Sequence, residues 1–159
     1  MSELNPYDKF LDGRPLEEIL SATPDAVSAL LAKMGAAKAA TAPAPGKWSP
    51  AEIVCHLADC EVAFGFRLRQ TLAEPGHTIQ PFDQDKWAPP YVGIAAADAL
   101  AAFSALRKWN LLLLKYALPQ YAGVEATHPE RGTMTFQTIV ETMAGHDLNH
   151  LAQLEKLAG

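Results

Sequence analysis

His146 and His150 stand four apart in Met143-Ala-Gly-His146-Asp-Leu-Asn-His150-Leu-Ala-Gln153-Leu-Glu-Lys-Leu157. On a helix that spacing puts both imidazoles on one face, about 6 Å apart along the axis, so that they can converge on one metal ion. Ile139, Met143, His146, His150, Gln153 and Leu157 recur in alternating steps of three and four, the pattern of a core-facing stripe. Two imidazoles therefore occupy positions where aliphatic side chains belong. Burying them costs free energy unless their ring nitrogens find partners. A metal ion is one partner; Asp, Ser or backbone groups are the alternative.

An open catalytic site needs three protein ligands. His56 is the best-placed third, in Glu52-Ile-Val-Cys-His56-Leu-Ala-Asp59-Cys60-Glu61, where Ile53, Leu57, Cys60 and Phe64 are its helical neighbours. His77 and His128 lie in connections beside Pro and Gly and are read as solvated. Three imidazoles without carboxylates suit zinc, nickel, copper or ferrous iron better than magnesium or calcium. A di-iron bundle requires paired Glu-x-x-His motifs. No such motif lies within the expected helices, where Asp147-x-x-His150 is the one near match, so one ion is expected.

Other polar residues have plainer readings. Glu52 is assigned to a helix cap. Asp59 either orients His56 or faces solvent. Asp147 and Asn149 are expected to face outward. Arg67 and Asn110 are expected at partly exposed seam edges. Cys55 and Cys60 diverge by about 140° around one helix, which excludes a disulfide between them there and makes them small apolar residues.

Four helices must position these residues. The first is expected from about Pro15 to Lys38, with a break near Ser21 because Thr23-Pro24 has the form of an N-cap followed by Pro. The second begins at the capping box Ser49-Pro-Ala-Glu52, with Trp48 and Ile53 as a hydrophobic staple, and runs to about Leu72. The third covers roughly Ala95 to Leu118 and stops at Pro119. The fourth runs from near Thr135 to Leu157. The long connection 74–91 carries Phe82, Trp87 and Tyr91 and is expected to be ordered, with its aromatic rings covering a core edge. The connection 122–134 is read as loop. No period-2 strand pattern is evident, and an all-α four-helix bundle over residues 1–159 follows.

The chain has 159 residues, a formal charge of −5 and 49% hydrophobic residues. No cluster of Lys and Arg exists to track a phosphate backbone, so nucleic-acid binding is not expected. No apolar run approaches the ~20 residues of a membrane span. The opening residues lack the basic and apolar regions of a signal peptide, which makes a cytoplasmic location the default.

Four segments in order, Trp48 to Glu61, Phe82-Asp83-Gln-Asp-Lys-Trp87, His128-Pro-Glu-Arg-Gly132-Thr-Met-Thr135 and Gly145-His146-Asp-Leu-Asn-His150-Leu-Ala-Gln153-Leu, resemble the DinB/YfiT-like superfamily of metal-binding four-helix bundles. The resemblance covers the chain from about residue 15 onward. It implies an up-down-down-up bundle and a mononuclear metal site at His56, His146 and His150. It also implies zinc or nickel as the metal, and a homodimer. Its characterised relatives imply a metal-dependent thiol S-transferase that takes a low-molecular-weight thiol as cosubstrate with a small-molecule substrate. The alternatives are a metal-dependent hydrolase on the same site and a non-catalytic metal- or ligand-binding bundle, for which His128, Asp59 or a nearby thiol would supply a fourth ligand.

Overall fold

The computed structural model describes residues 4–159. Four long helices dominate: α1 (Leu16–Ala39), α2 (Pro50–Ala73), α4 (Ala96–Tyr121) and α5 (Phe136–Ala158), with a single helical turn, α3 (Gln84–Trp87), in the long connection. No helix among the described residues is long and apolar enough to cross a membrane.

Side-chain contacts give the helix directions. His56 meets His150 while Cys60 meets His146, so α2 and α5 are antiparallel. Glu61 bonds Arg107 and Asn110 while Arg69 bonds Asn110 and stacks on Trp109, which makes α2 and α4 parallel. Lys33 and Lys38 near the end of α1 reach the carbonyls of Gly159 and Ala158, so α1 runs with α5. The bundle is up-down-down-up. Parallel neighbours cannot be joined by a tight turn, and this is why the α2–α4 connection is long.

The start of α2 follows its sequence. Ser49 Oγ accepts from the Glu52 amide at 3.3 Å, and Glu52 Oε2 accepts from the Ser49 amide at 2.7 Å. These bonds satisfy donors that a helix start otherwise leaves unpaired. Trp48 packs on the apolar cluster that contains Ile53.

Three boundaries differ from expectation. The first helix does not break near Ser21. Thr23 Oγ1 donates back to the Ile19 carbonyl at 2.9 Å instead of capping a new start. Pro24 removes the amide that would have bonded the Leu20 carbonyl. Arg107 Nη1 donates to that carbonyl at 2.7 Å, so the helix continues. The irregular point is Gly35, whose φ of 73° favours glycine. Pro119 lies inside the last turn of α4, which ends at Tyr121.

The third difference is a β-hairpin where a loop was expected. β1 (Glu125–His128) pairs antiparallel with β2 (Gly132–Thr135). Each strand has four residues, too few for a period-2 pattern to emerge from sequence. The segment after α2 joins the hairpin: Ile79 N–H donates to the Thr127 carbonyl and Thr127 N–H to the His77 carbonyl. The long connection is thereby ordered, and Tyr91 is buried with its hydroxyl donating to Asp59 Oδ2 at 2.6 Å.

The core has two apolar halves. One gathers Ile19, Phe64, Leu68, Phe136 and Met143; the other gathers Val27, Ile53, Phe103 and Leu154. Between them lies a buried polar layer of His56, Glu61, Arg107, Asn110, His146, Asp147 and His150.

Candidate metal centre

α2 and α5 deliver three imidazoles to one point. His56 Nε2 lies 3.0 Å from His146 Nε2, which lies 3.1 Å from His150 Nε2. Among the described residues, these three form the one cluster of donors close enough to share an ion. Their exposures are 1%, 5% and 8%. Nitrogens bound to one ion at ~2.0–2.1 Å sit about 3 Å apart. The observed separations are of that size.

Burial and mutual repulsion keep the rings uncharged. His56 is pushed down to about 3, first by burial and then by His150. His146 is held well below its ordinary value by burial, the two other imidazoles and Arg107. Burial also lowers His150. Neutral imidazoles are the form that binds metal. His150 Nδ1 lies 2.9 Å from Gln153 Oε1, an acceptor, which puts the proton on Nδ1 and leaves Nε2 with a lone pair. Neutral Nε2 atoms this close to one another repel wherever two lone pairs meet, and a cation between them removes the conflict. The donor set fits a divalent transition metal.

Other residues surround the cluster without joining it. Cys60 Sγ is 3.5 Å from His56 Nε2 and 3.8 Å from His146 Nε2. Burial raises its pKa strongly, so it is a thiol, not a thiolate. The Tyr7 ring meets His146 edge-on at 5.1 Å, and the Trp48 ring lies 5.0 Å from His56. Gly145 is required beneath Tyr7: a Cβ there would come within 2.6 Å of the Tyr7 carbonyl oxygen.

Several residues are not where their sequence context placed them. Asp147 does not face outward. The residue is 1% exposed, and its carboxylate receives two bonds from Arg107, at 2.6 and 3.0 Å. Asn110 is buried, donating to the Glu61 carbonyl and side chain at 2.9 Å. Asp59 is spent on Tyr91, not on His56. Gln153 is exposed, and the stripe passes to buried Leu154. Cys55 and Cys60 are free and buried. His77 sits in the turn after α2, beside the Glu74 carbonyl. Glu52 caps its helix.

Arg107, Glu61 and Tyr7 were missed as components of the site. Arg107 had a legible signal: Phe103, Arg107, Asn110 and Leu114 keep the spacing of a buried stripe. Tyr7 had none, because it precedes any periodic segment.

The imidazoles open onto a cavity of about 200 Å³. His56 and His146 form part of its wall, together with Tyr7, Phe64, Arg67 and Phe82. His128, expected to be solvated, is buried instead and also lines it; its Nδ1 accepts from the Glu130 amide at 3.2 Å.

Comparison with known proteins agrees with this architecture. The family model described as "DinB superfamily" matches residues 19–154. A protein of Oceanobacillus iheyensis named "Putative metal-dependent hydrolase" is 28% identical over 113 residues, covering 70% of this chain and 66% of its own length. A protein of Bacillus mycoides with the same name is 28% identical over 121 residues, with 70% and 65% covered. The chain thus spans just under two thirds of these relatives. The structure of YfiT from Bacillus subtilis, described as "a probable metal-dependent hydrolase with an unusual four-helix bundle topology", superposes with a TM-score of 0.81 at 20% identity, covering 99% of this chain and 89% of that one.

Proposed function

The chain belongs to the DinB superfamily, and from that premise we propose that it is a metal-dependent hydrolase of a small molecule, holding one divalent transition ion through His56, His146 and His150. The observation that carries this reading is the convergence of three uncharged imidazole nitrogens, 3.0 and 3.1 Å apart, beside a cavity. The names of the relatives support the reaction class. Zinc or nickel suits an all-imidazole donor set. A bound ion of this kind supplies Lewis acidity, polarising a carbonyl or phosphoryl oxygen and acidifying a nucleophile.

The chain's own residues hold and shield. Gln153 fixes the tautomer of His150. Tyr7, Trp48 and Phe64 pack aromatic rings against the imidazoles and fix their positions. His128 accepts at Nδ1, so its neutral ring carries a proton on Nε2 as a donor.

One observation favours a second reading, thiol S-transfer with a low-molecular-weight thiol. Among the described residues, the one carboxylate of the cavity is the exposed Glu130, and those packed deeper in the bundle are already paired. Glu61 and Asp147 are bound to Arg107, Glu52 to its cap and Asp59 to Tyr91. A cosubstrate that brings its own nucleophile fits such a site.

Elemental analysis and turnover test both readings. About one transition metal per chain, lost in His150→Ala, is expected. Ester or amide cleavage without added thiol supports the hydrolase; turnover only with a thiol and an electrophile supports S-transfer. Metal-free protein whose melting temperature is unmoved by zinc or nickel would sink the metal centre.

A homodimer is proposed on the exposed apolar residues Val62 and Phe66 of α2 and Trp109 and Leu112 of α4, two helices packed side by side. Sedimentation equilibrium of the protein and of Trp109→Glu checks it.

A further inference from the structure

The cavity carries a second chemistry beside its imidazoles. Arg67 of α2 and Arg131 of the β1–β2 turn both line it, each half-buried. The other arginines are committed. Arg14 pairs with Asp12, Arg107 with Glu61 and Asp147, and Arg69 donates to the Gly65 carbonyl and Asn110. Among the described residues, neither Arg67 nor Arg131 has a carboxylate within ion-pair distance. Arg67 lies 5.8 and 5.6 Å from the Phe64 and Phe82 ring centres and gives one N–H to the Gln80 carbonyl, at 3.3 Å. Burial, and then repulsion from Arg131, lowers its pKa.

Two guanidiniums facing one partly desolvated space repel, and the fold gains nothing visible from holding them there. An anion between them removes that cost and accepts the fork-shaped donor pattern that guanidinium presents. His128 adds a third donor through Nε2–H, since its Nδ1 is already an acceptor. The cavity's one carboxylate, Glu130, is exposed. The rings of Phe64 and Phe82 offer an apolar wall next to the cations. A cavity of about 200 Å³ suits a small molecule.

We propose that this cavity recognises a small organic anion. Its carboxylate or phosphoryl group sits on Arg67 and Arg131, its apolar body lies against Phe64 and Phe82, and its reacting group is directed toward His56 and His146. The last clause rests on the metal-centre reading above; the anion site does not. A chain with a net charge of −5 repels anions at long range, so a local pair of cations is what admits one.

The test is calorimetric titration of metal-free and zinc-loaded protein with 3-phenylpropionate, phenyl phosphate and the neutral 3-phenylpropionamide. In metal-free protein at least one anion is expected to bind about tenfold or more tighter than the amide, and Arg67→Gln and Arg131→Gln are each expected to lose about that factor for the anion alone. The tighter of the two anions identifies the group recognised. Arg131→Gln lies in a surface turn and keeps the test valid should Arg67→Gln unfold; melting curves establish which variants are folded. Equal binding of acid and amide, no binding of either anion at millimolar concentration, or folded variants with unchanged affinity would each overturn the proposal. So would an anion that binds only the zinc-loaded protein without regard to the arginines, a result that leaves the metal centre standing. Arginine-dependent binding in a protein that takes up no zinc would keep the anion site and remove the metal.

Discussion

Arg107 grips Asp147 through Nη1 and Nη2, at 2.6 and 3.0 Å, and Asp147 is the residue next to His146. The same guanidinium bonds Glu61 at 2.6 Å and the Leu20 carbonyl at 2.7 Å. One side chain of α4 thereby ties α1, α2 and α5 together in the layer that holds the imidazoles. Burial works against its charge, but its two carboxylates hold its pKa above the ordinary value.

Arg107→Met is therefore expected to cost about 3–5 kcal/mol, because it strands two carboxylates and the Leu20 carbonyl without a partner in the core. Urea unfolding measures the loss. A variant as stable as the wild type would show that the network can be replaced by apolar packing.

Gln153→Ala removes the acceptor that sets the tautomer of His150, from an exposed position with little packing to lose. Metal affinity is expected to fall about 10- to 100-fold with the melting temperature of the metal-free protein nearly unchanged. Competition against a fluorescent chelator reads the affinity. Unaltered affinity would mean that the bundle alone orients His150.

Gly145→Ala puts a Cβ 2.6 Å from the Tyr7 carbonyl oxygen and 2.8 Å from its Cβ, so the segment before α1 must move. A cost of about 1–3 kcal/mol is expected, together with easier proteolysis near Tyr7. Limited proteolysis with mass spectrometry locates the cut.

Acid should destabilise the metal-free protein through its imidazoles. All three have lowered folded pKa values, His56 down to about 3. Below the unfolded value of about 6.5 the unfolded chain binds more protons, so stability is complete above that pH and falls as pH drops. Each histidine contributes a slope of up to about 1.4 kcal/mol per pH unit, and for His56 the loss continues toward pH 3. Glu61, raised first by burial, acts in the opposite direction nearer the carboxylate range. Urea midpoints between about pH 7.5 and 5.5 check the slope. A flat profile would mean that the rings are charged in the folded state.

The four long helices, the capping box at Ser49 and the apolar face on which His56, His146 and His150 lie were legible in the sequence. Each rests on interactions within one or two turns, and such interactions leave a period or a spacing. The hairpin was not legible, because strands of four residues leave too short a trace. Asp147 was misplaced for a different reason. A lone acidic residue on a helix reads as solvated, and burial becomes affordable only once Arg107, 40 positions away, supplies the opposite charge. Thr23-Pro24 read as a break until the same arginine took over the orphaned Leu20 carbonyl. By itself, then, the sequence determined which residues share a helix and which face they occupy. Only the tertiary structure decided which buried charges neutralise one another, where Tyr7 folds back, and that Arg67 and Arg131 look into the same cavity as the imidazoles. Those pairings depend on distances through space, which no local pattern of residues records.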